Sequence, residues 1–214
     1  MVYDQYWETL EEIGARSRSL GIPSIDPEDG LILYSIAVSV AGRASGSVEA
    51  LDLGAGIGYS TLWIAAGLED ACPQTASCRV TAVEANARLA SAGEEATARA
   101  GLRRVRIRWV AGDAIAFLEG IPNRSVDLAF VDIEKYEYPK ALELLEYKLK
   151  PGGVALFHNA YFPRPPESFF HAVSRGPWRS GIAPTPQGLL IAVLEAGKRR
   201  GGTSYGAGWG PGEG

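Results

Sequence analysis

The segment Leu51-Asp52-Leu53-Gly54-Ala55-Gly56-Ile57-Gly58-Tyr59-Ser60 sets a carboxylate, three alternating glycines and a helix-like stretch at the end of an apolar run. Glycine reaches φ > 0 and carries no side chain, so backbone there can lie against a ligand. A helix starting just beyond presents free N–H groups. Strand, glycine turn and helix together make a nucleotide-type site at the carboxyl end of a parallel strand. The dinucleotide fingerprint is G-x-G-x-x-G, with the pyrophosphate on the helix N-terminus. This chain instead reads Asp-x-Gly-x-Gly-x-Gly. Asp52 would repel a pyrophosphate and suit a cationic ligand, because opposite charges attract strongly in a partly dry cleft. S-adenosylmethionine, with its sulfonium and ammonium groups, meets that demand better than NAD. A plain βα turn with glycines for tight packing is the alternative.

Further polar residues follow apolar runs at regular intervals: Glu84, Asp113, Asp132 and His158-Asn159. Glu84 could accept two hydrogen bonds from vicinal ribose hydroxyls. Asp113 could reach an adenine amino group or serve as an ordinary helix N-cap.

The elements that must position them alternate. Residues 2–20 read as an amphipathic helix with Tyr6, Leu10 and Ile13 on its apolar side, ended by Gly21 and Pro23. Asp26-Pro27-Glu28-Asp29 starts a second helix with a capping acid and Pro at the first position. Strands are expected at 48–53, 79–84, 105–109, 126–131 and 154–157, with helices over 59–67, 86–100, 113–119 and 138–149 between them. A helix over 167–174 and two strands, 178–183 and 188–195, complete the pattern. Such alternation demands an α/β fold, a doubly wound, Rossmann-like parallel sheet with helices on both faces. Ligands then bind beyond the carboxyl ends of the strands, where the five polar positions fall.

Phe130-Val131-Asp132 with Lys135 and Tyr138 reads F-x-D-x-x-K-x-x-Y, and Leu149-Lys150-Pro151-Gly152-Gly153 precedes strand five. With 51–60, Val83-Glu84 and Gly112-Asp113-Ala114, these motifs resemble class I S-adenosylmethionine-dependent methyltransferases. More narrowly, residues 24–162 resemble the catechol and caffeoyl-coenzyme A O-methyltransferase-like family. The resemblance implies seven strands, the last antiparallel. It implies cofactor contacts from Asp52, Gly54, Ala55, Gly56, Tyr59, Ser60, Glu84, Ala85, Asp113, Ala114 and Asp132. It also implies a divalent metal between Asp132 and an Asp-Asn pair after strand five, and a catalytic lysine at Lys135. The expected division is N-terminal helices over 1–45, the methyltransferase domain over 46–196 and a flexible tail over 197–214, the last read from its many glycines and few apolar residues.

The sequence departs from that pattern in having His158-Asn159 where the family has Asp-Asn. Mg²⁺ and Ca²⁺ want oxygen ligands, whereas imidazole suits ions such as Zn²⁺ or Fe²⁺. A metal held by Asp132, His158 and Asn159 is one reading. His158 as general base is another, and a histidine bonded to a neighbour is a third. Catalysis is expected of Asp132, Lys135 and His158, by in-line O-methylation of a small hydroxylated acceptor. Tyr161 and Phe162 follow strand five and could wall a pocket for an aromatic acceptor. Rival readings are a cofactor-binding protein without turnover and a methyltransferase for a macromolecule. The latter is disfavoured by the lack of an N/D-P-P-Y-type motif after strand four.

The 214 residues suffice for one domain with a sizeable core. A net charge of −4 and a pI of about 5.3 favour neither nucleic acid nor anionic membrane. No apolar run approaches a membrane span, and the first residues do not form a signal peptide, so a cytoplasmic location is expected. The aromatic residues of the first helix are expected to pack on the domain or on the partner of a homodimer. Lys198-Arg199-Arg200-Gly201-Gly202 is read as a solvated terminus rather than an RNA-binding segment. Cys72 and Cys78 are expected as free thiols, with a local disulfide as the alternative.

Overall fold

The computed structural model describes residues 5–196; the tail expected over 197–214, including Lys198-Arg199-Arg200, lies outside the described residues. Helices α1 (Gln5–Leu20) and α2 (Pro27–Arg43) precede a regular alternation. It runs β1 (Val48–Leu53), α3 (Tyr59–Ala71), β2 (Cys78–Glu84), α4 (Ala87–Thr97), β3 (Val105–Ala111), α5 (Ala114–Gly120) and β4 (Val126–Val131). A 3₁₀ turn (Lys135–Glu137), α6 (Tyr138–Lys148), β5 (Leu149–Phe157), α7 (Glu167–Arg175), β6 (Trp178–Ala183) and β7 (Leu189–Leu194) follow. The strands form one seven-stranded sheet in the order β3-β2-β1-β4-β5-β7-β6. Neighbours from β3 through β5 pair in parallel, and β7 inserts antiparallel between β5 and β6. The α/β class and the antiparallel last strand are as the sequence implied.

Strand character follows position in the sheet. β1 and β4 are central and buried on both faces, so they read as near-continuous apolar runs. β3 lies at one edge, and its arginines are not buried. One core layer joins α1, α2 and α3 to one face of the sheet, through Ile13, Leu33, Leu62 and Ile64. The other lies under α5, α6 and α7, where Tyr138, Phe157 and Phe169 stack edge-on or tilted with ring centroids 4.8–5.4 Å apart. The aromatic residues of α1 pack within the chain: Trp7 meets Tyr34 and Trp63, and Tyr6 donates to Asp70. Among the described residues no helix is long and apolar enough to cross a membrane.

Three local expectations are corrected. Asp26 occupies the N-cap position of α2 but makes no side-chain cap bond. β5 begins at Leu149, because the Pro151-Gly152-Gly153 turn is drawn into the strand where its pairing with β4 shifts register. Cys72 and Cys78 are not free thiols; they form a disulfide, their Cα atoms 6.2 Å apart, because the end of α3 and the start of β2 are brought together.

Candidate active site

Strand order reverses between β1 and β4, and in open α/β sheets that switch point opens a crevice at the carboxyl ends. The glycine turn after β1 lines it. Gly54 has φ 91°, and a Cβ there would fall 2.3 Å from the Asp132 carbonyl oxygen. Glycine is therefore required twice, for the backbone angle and for the close approach of the two strand ends. Among the described residues a Cβ on Gly56 would meet only Ile22, at 3.9 Å, so the turn leaves open space on that side. Glu84 fixes the turn, accepting from the Gly56 N–H at 2.9 Å and the Asn86 N–H at 2.8 Å.

Gly54, Ala55, Gly56, Ile57, Tyr59, Ser60 and Asp132 line one cleft, closed on its other side by Ser17 and residues 22–25. Six of the eleven expected cofactor residues are thus gathered: Gly54, Ala55, Gly56, Tyr59, Ser60 and Asp132. Residues 22–25 were not anticipated as site residues, because Gly21 and Pro23 read only as a helix stop. Ala85, Asp113 and Ala114 do not line this cleft. Asp113 accepts from the Ala116 N–H at 2.7 Å as the N-cap of α5.

Asp52 does not face the cleft as expected. It is fully buried beneath the turn, accepting hydrogen bonds from the Ser60 hydroxyl at 2.8 Å and from that of Thr61. Its second oxygen has no hydrogen-bond partner among the described residues. Burial pushes its carboxyl up to about 7, and the two hydroxyls oppose this only in part. Asp52 therefore anchors the first turn of α3 from below.

Asp132 is opposite in character. Its Oδ1 accepts from Lys135 Nζ at 2.7 Å, and its Oδ2 lies 3.1 Å from His158 Nδ1. Burial alone would raise the carboxyl, but His158 and Lys135 outweigh it and hold Asp132 below its usual range. Lys135 also donates to the Ile133 carbonyl and the Tyr138 hydroxyl. The Tyr138 hydroxyl in turn faces the Val131 and His158 carbonyls. The F-x-D-x-x-K-x-x-Y spacing therefore folds into one connected polar group.

His158 is 3% exposed. Its Nε2 lies 3.3 Å from Asp29, a fully buried residue of α2. Burial would depress the imidazole, but Asp132 and Asp29 together raise it to about 9. Both nitrogens of the ring thus face carboxylates rather than the open cleft. The other members of the expected metal set are engaged as well. Both Asp132 oxygens are engaged by cationic groups, and the Asn159 amide donates to the Phe162 carbonyl at 2.9 Å and to Gln187 at 2.8 Å. Among the described residues no three His, Cys, Asp or Glu side chains are arranged to hold a metal. The donors present do not fit a divalent ion, which needs free oxygens converging on one point.

A family model described as a methyltransferase domain matches residues 51–160. A Mycobacterium avium protein with the provisional name O-methyltransferase is 27% identical over 145 residues, 68% of this chain and 60% of the relative. The chain therefore spans about three fifths of that relative's length. Two solved structures share the fold. The O-methyltransferase from Bacillus cereus, solved with S-adenosylhomocysteine, has a TM-score of 0.72 at 23% identity, covering 88% of this chain and 91% of that one. The O-methyltransferase TomG from Streptomyces achromogenes, solved with S-adenosylmethionine, gives 0.69 at 21%, covering 88% and 90%. With the match running from the glycine turn through β5 to Ala160, the chain belongs to the methyltransferase domain family.

Proposed function

We propose that this chain is an S-adenosylmethionine-dependent O-methyltransferase acting on a small hydroxylated, aromatic acceptor. The observation that carries the reading is the cleft at the switch point, where the bare backbone of Gly54–Gly56, the start of α3 and the Asp132 carboxylate converge. That cradle fits the methyl donor: Gly56 leaves room for it, and Asp132 supplies negative charge toward a cationic centre. When bound, the donor supplies a methyl group on a sulfonium, open to in-line attack by an oxygen lone pair.

The residues of the chain then have separable tasks. The glycine turn and Ser60 hold the donor. Glu84 braces the turn and stands beside it for ribose hydroxyls. Asp52 keeps the first turn of α3 in register through Ser60 and Thr61. Asp132, a carboxylate partly open to the cleft, accepts a hydrogen bond from the acceptor hydroxyl, orients it and takes its proton as the oxygen attacks the methyl group. Lys135, hydrogen-bonded to Asp132, places a positive charge where the acceptor oxygen becomes anionic. Tyr161 and Phe162, both exposed past β5, offer rings on which a planar acceptor can stack. The N-terminal helices belong to the same working unit, since Ser17 and residues 22–25 close the cleft.

The test is transfer of an isotopically labelled methyl group to a panel of catechols, monophenols and aliphatic alcohols, read by mass spectrometry. A labelled methyl ether on a phenolic acceptor is the expected product. Donor binding with no transfer across the panel would contradict the enzymatic reading and favour a cofactor-binding protein without turnover.

A further inference from the structure

Asp29 lies in the first turn of α2 and is fully buried, yet neither of its oxygens has a hydrogen-bond partner among the described residues. An ionised carboxylate in that position is costly unless a cation compensates it. The positive end of α2 supplies part of that compensation. Among the described residues the side chain paired with it is His158, whose Nε2 is 3.3 Å from Asp29 Oδ2. The other nitrogen of the same ring is 3.1 Å from Asp132 Oδ2, and Lys135 occupies Asp132 Oδ1. Two carboxylates and two side-chain cations thus alternate in one row, Asp29, His158, Asp132, Lys135, and their formal charges cancel. The position of Asp29 is set by close packing. A Cβ on the adjacent Gly30 would fall 2.3 Å from Trp63 Nε1, so α2 and α3 are pressed together here.

This row makes metal entry a coupled problem. A divalent ion at Asp132 would have to displace His158 and Lys135 from its oxygens. Displacing His158 would strand Asp29 as an unpaired buried charge. We propose that His158, clamped between Asp29 and Asp132, is a built-in cation standing in the place of a divalent metal, and that Asp29 and His158 are positioning residues for a metal-independent methyl transfer. The catalytic half of this inference rests on the O-methyltransferase reading; the exclusion of metal from the site does not.

Two measurements test the two halves separately. The first is titration of the wild-type chain with Mn²⁺, followed by electron paramagnetic resonance and calorimetry, with no acceptor present. No saturable binding is expected up to about 1 mM. Saturable binding that Asp132→Asn abolishes would overturn the proposal. The double variant Asp29→Asn with His158→Asp removes the clamp and sets a second carboxylate beside Asp132, a like-charge pair that a divalent ion would compensate. Confirmed as folded by circular dichroism, it is expected to gain Mn²⁺ binding at about 10⁻⁴ M, and its failure to do so would remove His158 as the cause of exclusion. The second measurement is turnover. Wild-type kcat is expected to be unchanged by chelator, and Asp29→Asn to lower kcat about 10–100-fold, the cost typical of losing an orienting partner, with KM for the methyl donor unchanged. Chelator-sensitive turnover restored by Mg²⁺ or Mn²⁺, or a kcat indifferent to Asp29→Asn, would overturn it. An absence of turnover on every acceptor would count against the O-methyltransferase reading, while the Mn²⁺ titration would still decide the fate of the clamp.

Discussion

Asp52 and Asp132 stand at the carboxyl ends of paired parallel strands, β1 and β4, yet the fold handles their charges in opposite ways. Asp52 is sealed beneath the glycine turn and faces two hydroxyls, so burial dominates and its carboxyl titrates near neutrality, at about 7. Asp132 opens to the cleft between Lys135 and His158, so cations dominate and it stays a carboxylate. Position at the sheet's ligand-binding end is common to both; the partner set decides which one meets a ligand. Asp52 holds the turn and α3 together, whereas Asp132 opens to the cleft.

The largest effect is expected where the two strand ends touch. Gly54→Ala adds a methyl 2.3 Å from the Asp132 carbonyl oxygen at a φ of 91°. A loss of about 3 kcal/mol or more in denaturant unfolding is expected, and a variant of wild-type stability would show that the two ends are not in contact. Next comes Asp132→Asn, which keeps the shape but leaves His158 and Lys135 short of a counter-charge. Methyl transfer is expected to fall by about 10²–10⁴-fold, measured as single-turnover rate.

The sharpest contrast is in pH dependence. Asp132 is lowered in the folded state, so its contribution to stability is present above the ordinary carboxylate pKa and lost as pH falls through its own lower value. Asp52 is raised, so its ionisation costs stability progressively as pH climbs from about 4 to about 7. Thermal unfolding of Asp52→Asn and Asp132→Asn across pH 3–9 is therefore expected to give differences from wild type of opposite slope. Asp52→Asn gains relative to wild type as pH rises, and Asp132→Asn loses. Parallel slopes would show that the two carboxylates share one environment. His158, raised to about 9, adds stability that is complete below about 6.5 and lost as pH rises through 9. His158→Gln is expected to flatten that alkaline limb. The smallest effect is Thr61→Val, which removes one of the two hydroxyls on Asp52 and is expected to cost about 1–2 kcal/mol in chemical denaturation with kcat nearly unchanged.

The sheet was legible in the sequence because β1 and β4 carry near-continuous apolar runs and the helices between the parallel strands carry a 3.6-residue apolar period. Gly54 and Gly56 were legible because their conformations leave glycine as the residue of choice. Lys135 and Tyr138 were legible through their spacing from Asp132. Asp29 was not: as an acid in the first turn of a helix it looks like a response to the helix dipole, and only the docking of α2 brings it to His158. Asp52 was legible as a strand-end acid but not as a buried one, since the hydroxyls that cover it act from the next element. The Cys72–Cys78 pairing was open because a six-residue separation fits both a disulfide and two thiols, and only the path from α3 into β2 decides it.

Isothermal titration of the wild-type chain with S-adenosylhomocysteine and S-adenosylmethionine tests most directly whether the Gly54–Gly56 turn beside Asp132 is a methyl-donor site. The account predicts one site per chain with micromolar affinity, tighter for the wild type than for Gly54→Ala. No heat of binding at millimolar ligand, in protein shown to be folded, would contradict it.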